Sequence, residues 1–200
     1  MKKMSQAQPK QPTLYVFFGL IASGKSTLAE LFAQNQGVPY YNTDRVRKEL
    51  AGIAANEHRA DGMDGMDGMD SMGQGIYTPE WSERTYQTML DRAAQDCNQG
   101  AKGAVLDGSY SKVVDRHNVS ELAVSLDAKI HFFLCSCSEQ ETQRRLAQRA
   151  KDPNAVSDGR WEIFIQQREQ FEQPDELSPH QITRIDTEAE PEKLLQELFI

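Results

Sequence analysis

GLIASGKST, residues 19–27, satisfies the spacing G-x-x-x-x-G-K-[ST], with Gly19, Gly24, Lys25 and Ser26 in the fixed places. At this chain's composition such a match arises by chance on the order of 0.005 times per chain. Its surroundings strengthen the reading: the apolar run TLYVFF (13–18) leads straight into the loop, and the helical pattern STLAELFAQ (26–34) leaves it. Glycines let the backbone curl so that successive N–H groups, those of Ala22, Ser23 and Gly24 among them, point at phosphate oxygens, and the helix N-terminus adds partial positive charge. Lys25 supplies a mobile cation for the β and γ phosphates, Ser26 offers a hydroxyl to Mg²⁺, and Thr27 reaches the α phosphate.

Working outward, three further apolar runs, GAVLD (103–107), KIHFFLC (129–135) and ITRID (182–186), read as buried parallel strands, with VPYY (38–41) as a fifth. Helical patterns lie between them. One opens at Thr78 before Pro79 and Glu80, carries Trp81, Met89, Leu90, Ala93, Ala94 and Cys97 at helical spacing, and ends near Gly100. Another opens at Ser138, where Glu141 completes a capping box. Strands alternating with helices predict an α/β fold whose ligands sit beyond the carboxyl ends of the strands.

The 200 residues, 38% hydrophobic, suffice for the core of one domain, expected over 13–200 behind a disordered arm at 1–12. The rhythm breaks once, at about 54–76, where three Asp-Gly-Met triplets and further glycines read as a flexible insertion. Gly at every third position without proline does not make a collagen helix, and aspartates three apart do not make a calcium loop. A net charge of −8 without a long Lys/Arg run argues against a broad nucleic-acid surface. The three cysteines, Cys97, Cys135 and Cys137, lack the spacing of a zinc or redox site and read as reduced thiols. No apolar stretch has signal-peptide or membrane-span length, so a cytoplasmic protein is expected.

Which phosphate chemistry follows depends on residues outside the loop. The guanine-reading Asn-Lys-x-Asp of GTPases is missing, and the chain is too short for the second domain of a ring-forming ATPase. In YYNTDRVRKEL (40–50), Asp44 and Arg47 stand three apart on a helix and share a face. A carboxylate there can accept a proton from an attacking hydroxyl, and a guanidinium can hold a phosphate or the transferring group. The competing reading is a solvated ion pair.

FFGLIASGKSTLA, NTDRVRKEL, YQTMLDRAAQDCNQGAKGAVLDGSY, RRLAQR and VSDGRWEIFIQQREQFEQPDEL together resemble the small P-loop kinases of the AAA_33 type, relatives of polynucleotide 5′-kinase and zeta toxins, over residues 13–187. The resemblance implies a three-layer P-loop NTPase fold with a parallel sheet of about five strands, helices on both faces and a helical lid. It implies a kinase using ATP and Mg²⁺, with Asp44 as the acceptor-activating aspartate and Arg47 beside it on the substrate side. Asp107 matches a second acidic position that holds a water on Mg²⁺ or positions the acceptor. Arg145 and Arg149 match lid arginines that neutralise the transferring phosphoryl, and Arg116 stands at a plausible distance for an acceptor contact. Trp161, Phe164 and Phe171 read as core or lid packing.

A nucleoside monophosphate acceptor is disfavoured, because DGSYSKVVDR delays the arginine that adenylate kinases carry soon after Asp-Gly. The expected partner is a small hydroxylated molecule, then a nucleic-acid 5′ end, then a nucleotide sugar. Outside the enzyme class stands a nucleotide-dependent binding module.

Overall fold

Five parallel strands form the centre of the protein in a computed structural model that describes residues 11–53, 75–151 and 160–198. In chain order they are β1 (Thr13–Phe18), β2 (Tyr40–Asn42), β3 (Gly103–Asp107), β4 (Lys129–Ser136) and β5 (Ile182–Asp186). The sheet order is β2-β3-β1-β4-β5, with every neighbouring pair parallel. The proposed insertion lies almost wholly outside the described residues, as does most of the N-terminal arm.

Alternation along β1 explains the layers. Leu14, Val16 and Phe18 point to one face, where they meet Met89, Leu90 and Ala93 of α3 (Pro79–Asn98) and Val119 and Ala123 of α4 (Val113–Ser125). Tyr15 and Phe17 point to the other, against Leu28, Ala29 and Phe32 of α1 (Lys25–Gln36) and Leu194 of α7 (Pro191–Glu197). Both faces are therefore apolar, which is why β1 and β3 read as unbroken hydrophobic runs. On the second face Phe17 stacks on Phe133 with ring centroids 4.5 Å apart, and both tilt against Phe32.

Three predicted strands keep their bounds, while the run at 38–41 becomes the three-residue Tyr40–Asn42. The helix starts follow their caps: Thr78 accepts the Trp81 N–H and Ser138 accepts the Glu141 N–H. The capping box is only half made, because the Ser138 N–H turns to Glu188 at 2.8 Å and Glu141 turns to two arginines. A third, smaller apolar cluster joins Ile21 and Ala22 of the loop to Leu146 of α5 (Glu139–Arg149) and Phe164 of α6 (Trp161–Gln170). Trp161 stacks on Phe164 within this cluster, and Phe171 stacks on Phe18. Helices α5 and α6, the segment expected to form the lid, thus pack on the loop that follows β1.

Candidate functional site

The glycine loop fills the turn between β1 and α1, where two glycines are required for separate reasons. Gly19 has φ +141, and a Cβ there would stand 2.3 Å from the Cys135 carbonyl oxygen of β4. Gly24 has φ +77, and a Cβ there would meet Arg145 Nη1 at 2.8 Å and Thr187 Oγ1 at 2.9 Å. Ala22 is also left-handed, at φ 58, a conformation that the surroundings must hold in place.

What holds it lies behind the loop. Thr187, just past β5, donates from Oγ1 to the Ser23 carbonyl at 2.6 Å. Arg145 donates to the Ala22 carbonyl at 3.3 Å and to the Thr187 carbonyl at 2.6 Å. A trans peptide whose carbonyl is tied back presents its N–H on the opposite side, so the Gly24 N–H is turned away from Thr187. Glu141 fixes the arginine from α5 at 2.7 Å, and its carboxyl is pulled down to about 2 by its hydrogen bond to Arg144 and then by Arg145.

In front of the loop lies a cavity of about 310 Å³. Its lining joins Ala22, Gly24, Lys25, Ser26 and Thr27 of the loop to Asn42, Thr43, Asp44, Arg45 and Arg47 of the β2–α2 segment, together with Tyr77, Ser82, Tyr86 and Ser109. Arg149, Ile163 and Gln167 close it from the lid. Lys25 Nζ rests on the Leu20 carbonyl at 3.2 Å. Arg47 Nη1 lies 3.2 Å from Asp44 Oδ1, and its guanidinium lies over the Tyr77 ring at 5.0 Å.

One asparagine positions the β2–α2 segment. Asn42 Oδ1 accepts the Arg45 N–H at 3.1 Å, capping α2 (Thr43–Leu50), while its Nδ2 donates to Asp107 Oδ2 at 2.6 Å. The cap therefore ties the start of α2, and Asp44 with it, to the end of β3. Tyr40 donates to the same Asp107 oxygen at 2.7 Å. Burial, and then the Asp107 charge, push the Tyr40 phenol far above its ordinary range, so it stays a donor. Asp107 is fully buried and its Oδ1 has no protein partner among the described residues. It does not cap the next helix, whose N-cap is Lys112.

Three sequence expectations require correction. Arg116 does not face the cavity: fully buried, it donates to Glu176 at 2.5 Å, to the Tyr110 carbonyl at 2.8 Å and to the Gln173 carbonyl, and lies 5.7 Å from the Phe18 ring centroid. Its guanidinium fixes the 173–176 segment to α4. Arg145 is likewise engaged behind the loop, outside the cavity lining. The lid arginine that does line the cavity is Arg149. Ser23, expected to turn its N–H to a phosphate, is buried outside the cavity lining and donates that N–H to the Leu20 carbonyl at 3.2 Å. Residues that sequence reasoning passed over are Tyr40, Asn42 and Thr187; the position of Asn42 directly before the helix start was the one available signal. Burial pushes the Cys135 thiol up to about 12, as expected of an unreactive core cysteine.

A glycine loop at the carboxyl end of a central strand, between β3 and β4 and followed at once by a helix, defines a P-loop nucleotide-binding fold. A family model described as "AAA domain" (AAA_33) matches residues 14–174, and the chain belongs to this family. Among solved structures it is similar to a gluconokinase from Sinorhizobium meliloti, with TM-score 0.57 and 18% identity over 95% of this chain and 90% of that one. A sugar kinase from Janibacter aligns with TM-score 0.59 and 15% identity over 94% and 92%. The APS kinase of Mycobacterium tuberculosis, solved with AMPPNP and APS, aligns with TM-score 0.56 and 16% identity over 96% of each chain. At these identities the likeness is one of fold. No curated protein sequence gives a significant match. Among the described residues no helix is long and apolar enough to cross a membrane.

Proposed function

We propose that this chain is an ATP-dependent kinase that transfers the γ-phosphoryl group to a hydroxyl of a small molecule. The observation that carries the reading is that one cavity is lined both by Lys25, Ser26 and Thr27 and by the Asp44–Arg47 pair. In-line transfer requires positioning and charge neutralisation more than covalent chemistry. Lys25 leaves the Leu20 carbonyl to hold the β and γ phosphates, and Arg149 approaches from the lid. Asp44 orients the acceptor hydroxyl and takes its proton as the oxygen–phosphorus bond forms and the bond to the ADP oxygen breaks. Arg47 holds Asp44 in place and offers its remaining donors to the acceptor.

Mg²⁺, when bound, would be held by the Ser26 hydroxyl of the cavity lining; Asp107 Oδ1, fully buried and without a protein partner among the described residues, lies outside that lining and would act on the ion through a water. What the ion would supply is positive charge against the phosphates. Kinase folds among the structural neighbours, with sugar, gluconate and APS kinases named among them, support this reading. The cavity's limited volume, shared with the nucleotide phosphates, favours a compact acceptor over a polymer. Incubation with γ-labelled ATP and pools of hydroxylated metabolites, 5′-hydroxyl oligonucleotides and nucleotide sugars tests it. Label in a metabolite supports the proposal, whereas nucleotide binding with no labelled product in any pool overturns it.

A further inference from the structure

Gln167, on α6, reaches the phosphate loop with its side-chain amide. Its Oε1 accepts the Ile21 N–H at 2.9 Å. Only the amide oxygen can accept an N–H, so the orientation of this group is fixed by chemistry. The NH₂ end, with two donors, has no protein partner among the described residues, and Gln167 lines the cavity. Ile163, one turn earlier, lines it too, while Phe164 between them anchors α6 on Ile21 and Ala22. The helix is thus seated by apolar contact, independently of the amide.

The peptide that receives Gln167 also receives the lysine. Lys25 Nζ donates to the Leu20 carbonyl, and Gln167 accepts from the Ile21 N–H; these are the two polar ends of one planar Leu20–Ile21 peptide. A lid residue and the loop's cation are therefore referenced to the same rigid unit. We propose that Gln167 is a phosphate-contacting residue whose Nε2 donates to the terminal phosphoryl group of the bound nucleoside triphosphate while Oε1 stays on Ile21. It would add a neutral, preorganised donor where charge accumulates, next to the cations of Lys25 and Arg149. The inference rests on the nucleotide reading of the loop.

A residue serving only as a latch for the lid predicts something different, and Gln167→Glu separates the two. The carboxylate still accepts the Ile21 N–H, but has no donors and places negative charge toward the phosphate. Calorimetric titration of the full chain with AMPPNP and with ADP, both with Mg²⁺, reads the difference. The proposal expects the variant to lose about ten-fold or more in affinity for AMPPNP, with ADP affinity changed by less than about three-fold. If Gln167→Glu keeps the wild-type ratio of the two affinities, Gln167 is only a latch and the proposal falls. Because the new charge alone would repel a γ phosphate, Gln167→Met, which removes the donors without adding charge, must lower the same ratio too, and an unchanged ratio in Gln167→Met also overturns the proposal. If the wild type binds neither nucleotide, the nucleotide reading fails and the inference with it.

Discussion

Arg47 stands one helical turn from Asp44 and holds it at 3.2 Å, with the arginine side chain only 10% exposed and the aspartate 27%. A surface i,i+3 pair would be wet on both sides and worth little. Here both residues line the same cavity as Lys25. Replacing Asp44 by Asn preserves shape and removes the proton acceptor. We expect Asp44→Asn to bind ATP as wild type does and to transfer phosphate about 100-fold more slowly or worse, measured as single-turnover product formation. Equal transfer by the variant would remove Asp44 from the mechanism.

Lys25→Ala should act earlier. Without the cation the β and γ phosphates lose their charged partner, so nucleotide affinity itself drops by about ten-fold or more. Titration with an ATP analogue measures this, and an unchanged affinity would contradict the role of the loop.

Arg145 gives a prediction that separates two roles. As a buttress on the Ala22 and Thr187 carbonyls, its loss leaves the Thr187 carbonyl without its donor and the Ala22 carbonyl with only the Cys137 thiol at 3.8 Å, and costs about 1–3 kcal/mol. Arg145→Ala should therefore lower both the urea midpoint and nucleotide affinity, and Thr187→Val should shift both in the same direction. A direct phosphoryl contact would instead slow transfer and leave the midpoint unchanged.

The Glu141 carboxyl gives the pH dependence of that buttress. With its pKa in the folded state depressed to about 2 by Arg144 and Arg145, its contribution is fully present above the ordinary carboxylate value near 4.5. It is lost as the pH falls from there through about 2. The difference in melting temperature between wild type and Glu141→Gln should be constant from pH 5 to pH 8 and shrink below about pH 4. A difference that grew on acidification would have the wrong sign.

Much of this architecture was legible in the sequence because its signals are local. The glycine loop, the β-strand runs at 13–18, 103–107 and 182–186, and the caps at Thr78 and Ser138 each depend on residues within a few positions of one another. The roles of Arg116 and Arg145 were not legible. Arginine side chains are long, and which carbonyls or carboxylates they reach depends on the folding back of segments far along the chain, Glu176 in one case and Thr187 in the other. Asn42 carried half a signal, as a helix cap; its second bond, to Asp107, joins residues brought together only by the parallel pairing of β2 with β3.

That double role makes a further test of the site's frame. Tyr40→Phe removes one donor to Asp107 and should cost about 1–3 kcal/mol. Asn42→Ala removes a donor to the same carboxylate together with the α2 cap, and should cost more. Urea unfolding of both variants gives the order, and a smaller loss for Asn42→Ala would contradict the link between cap and carboxylate.

In the proposed reaction one cavity holds both the phosphate donor and the hydroxyl that receives it. The most direct measurement follows γ-labelled ATP with wild type and with Asp44→Asn, side by side, in a pool of small hydroxylated molecules. Label is expected on a hydroxyl product with wild type and almost none with the variant, while both bind nucleotide. Label appearing only as inorganic phosphate, at the same rate in both proteins, would contradict it.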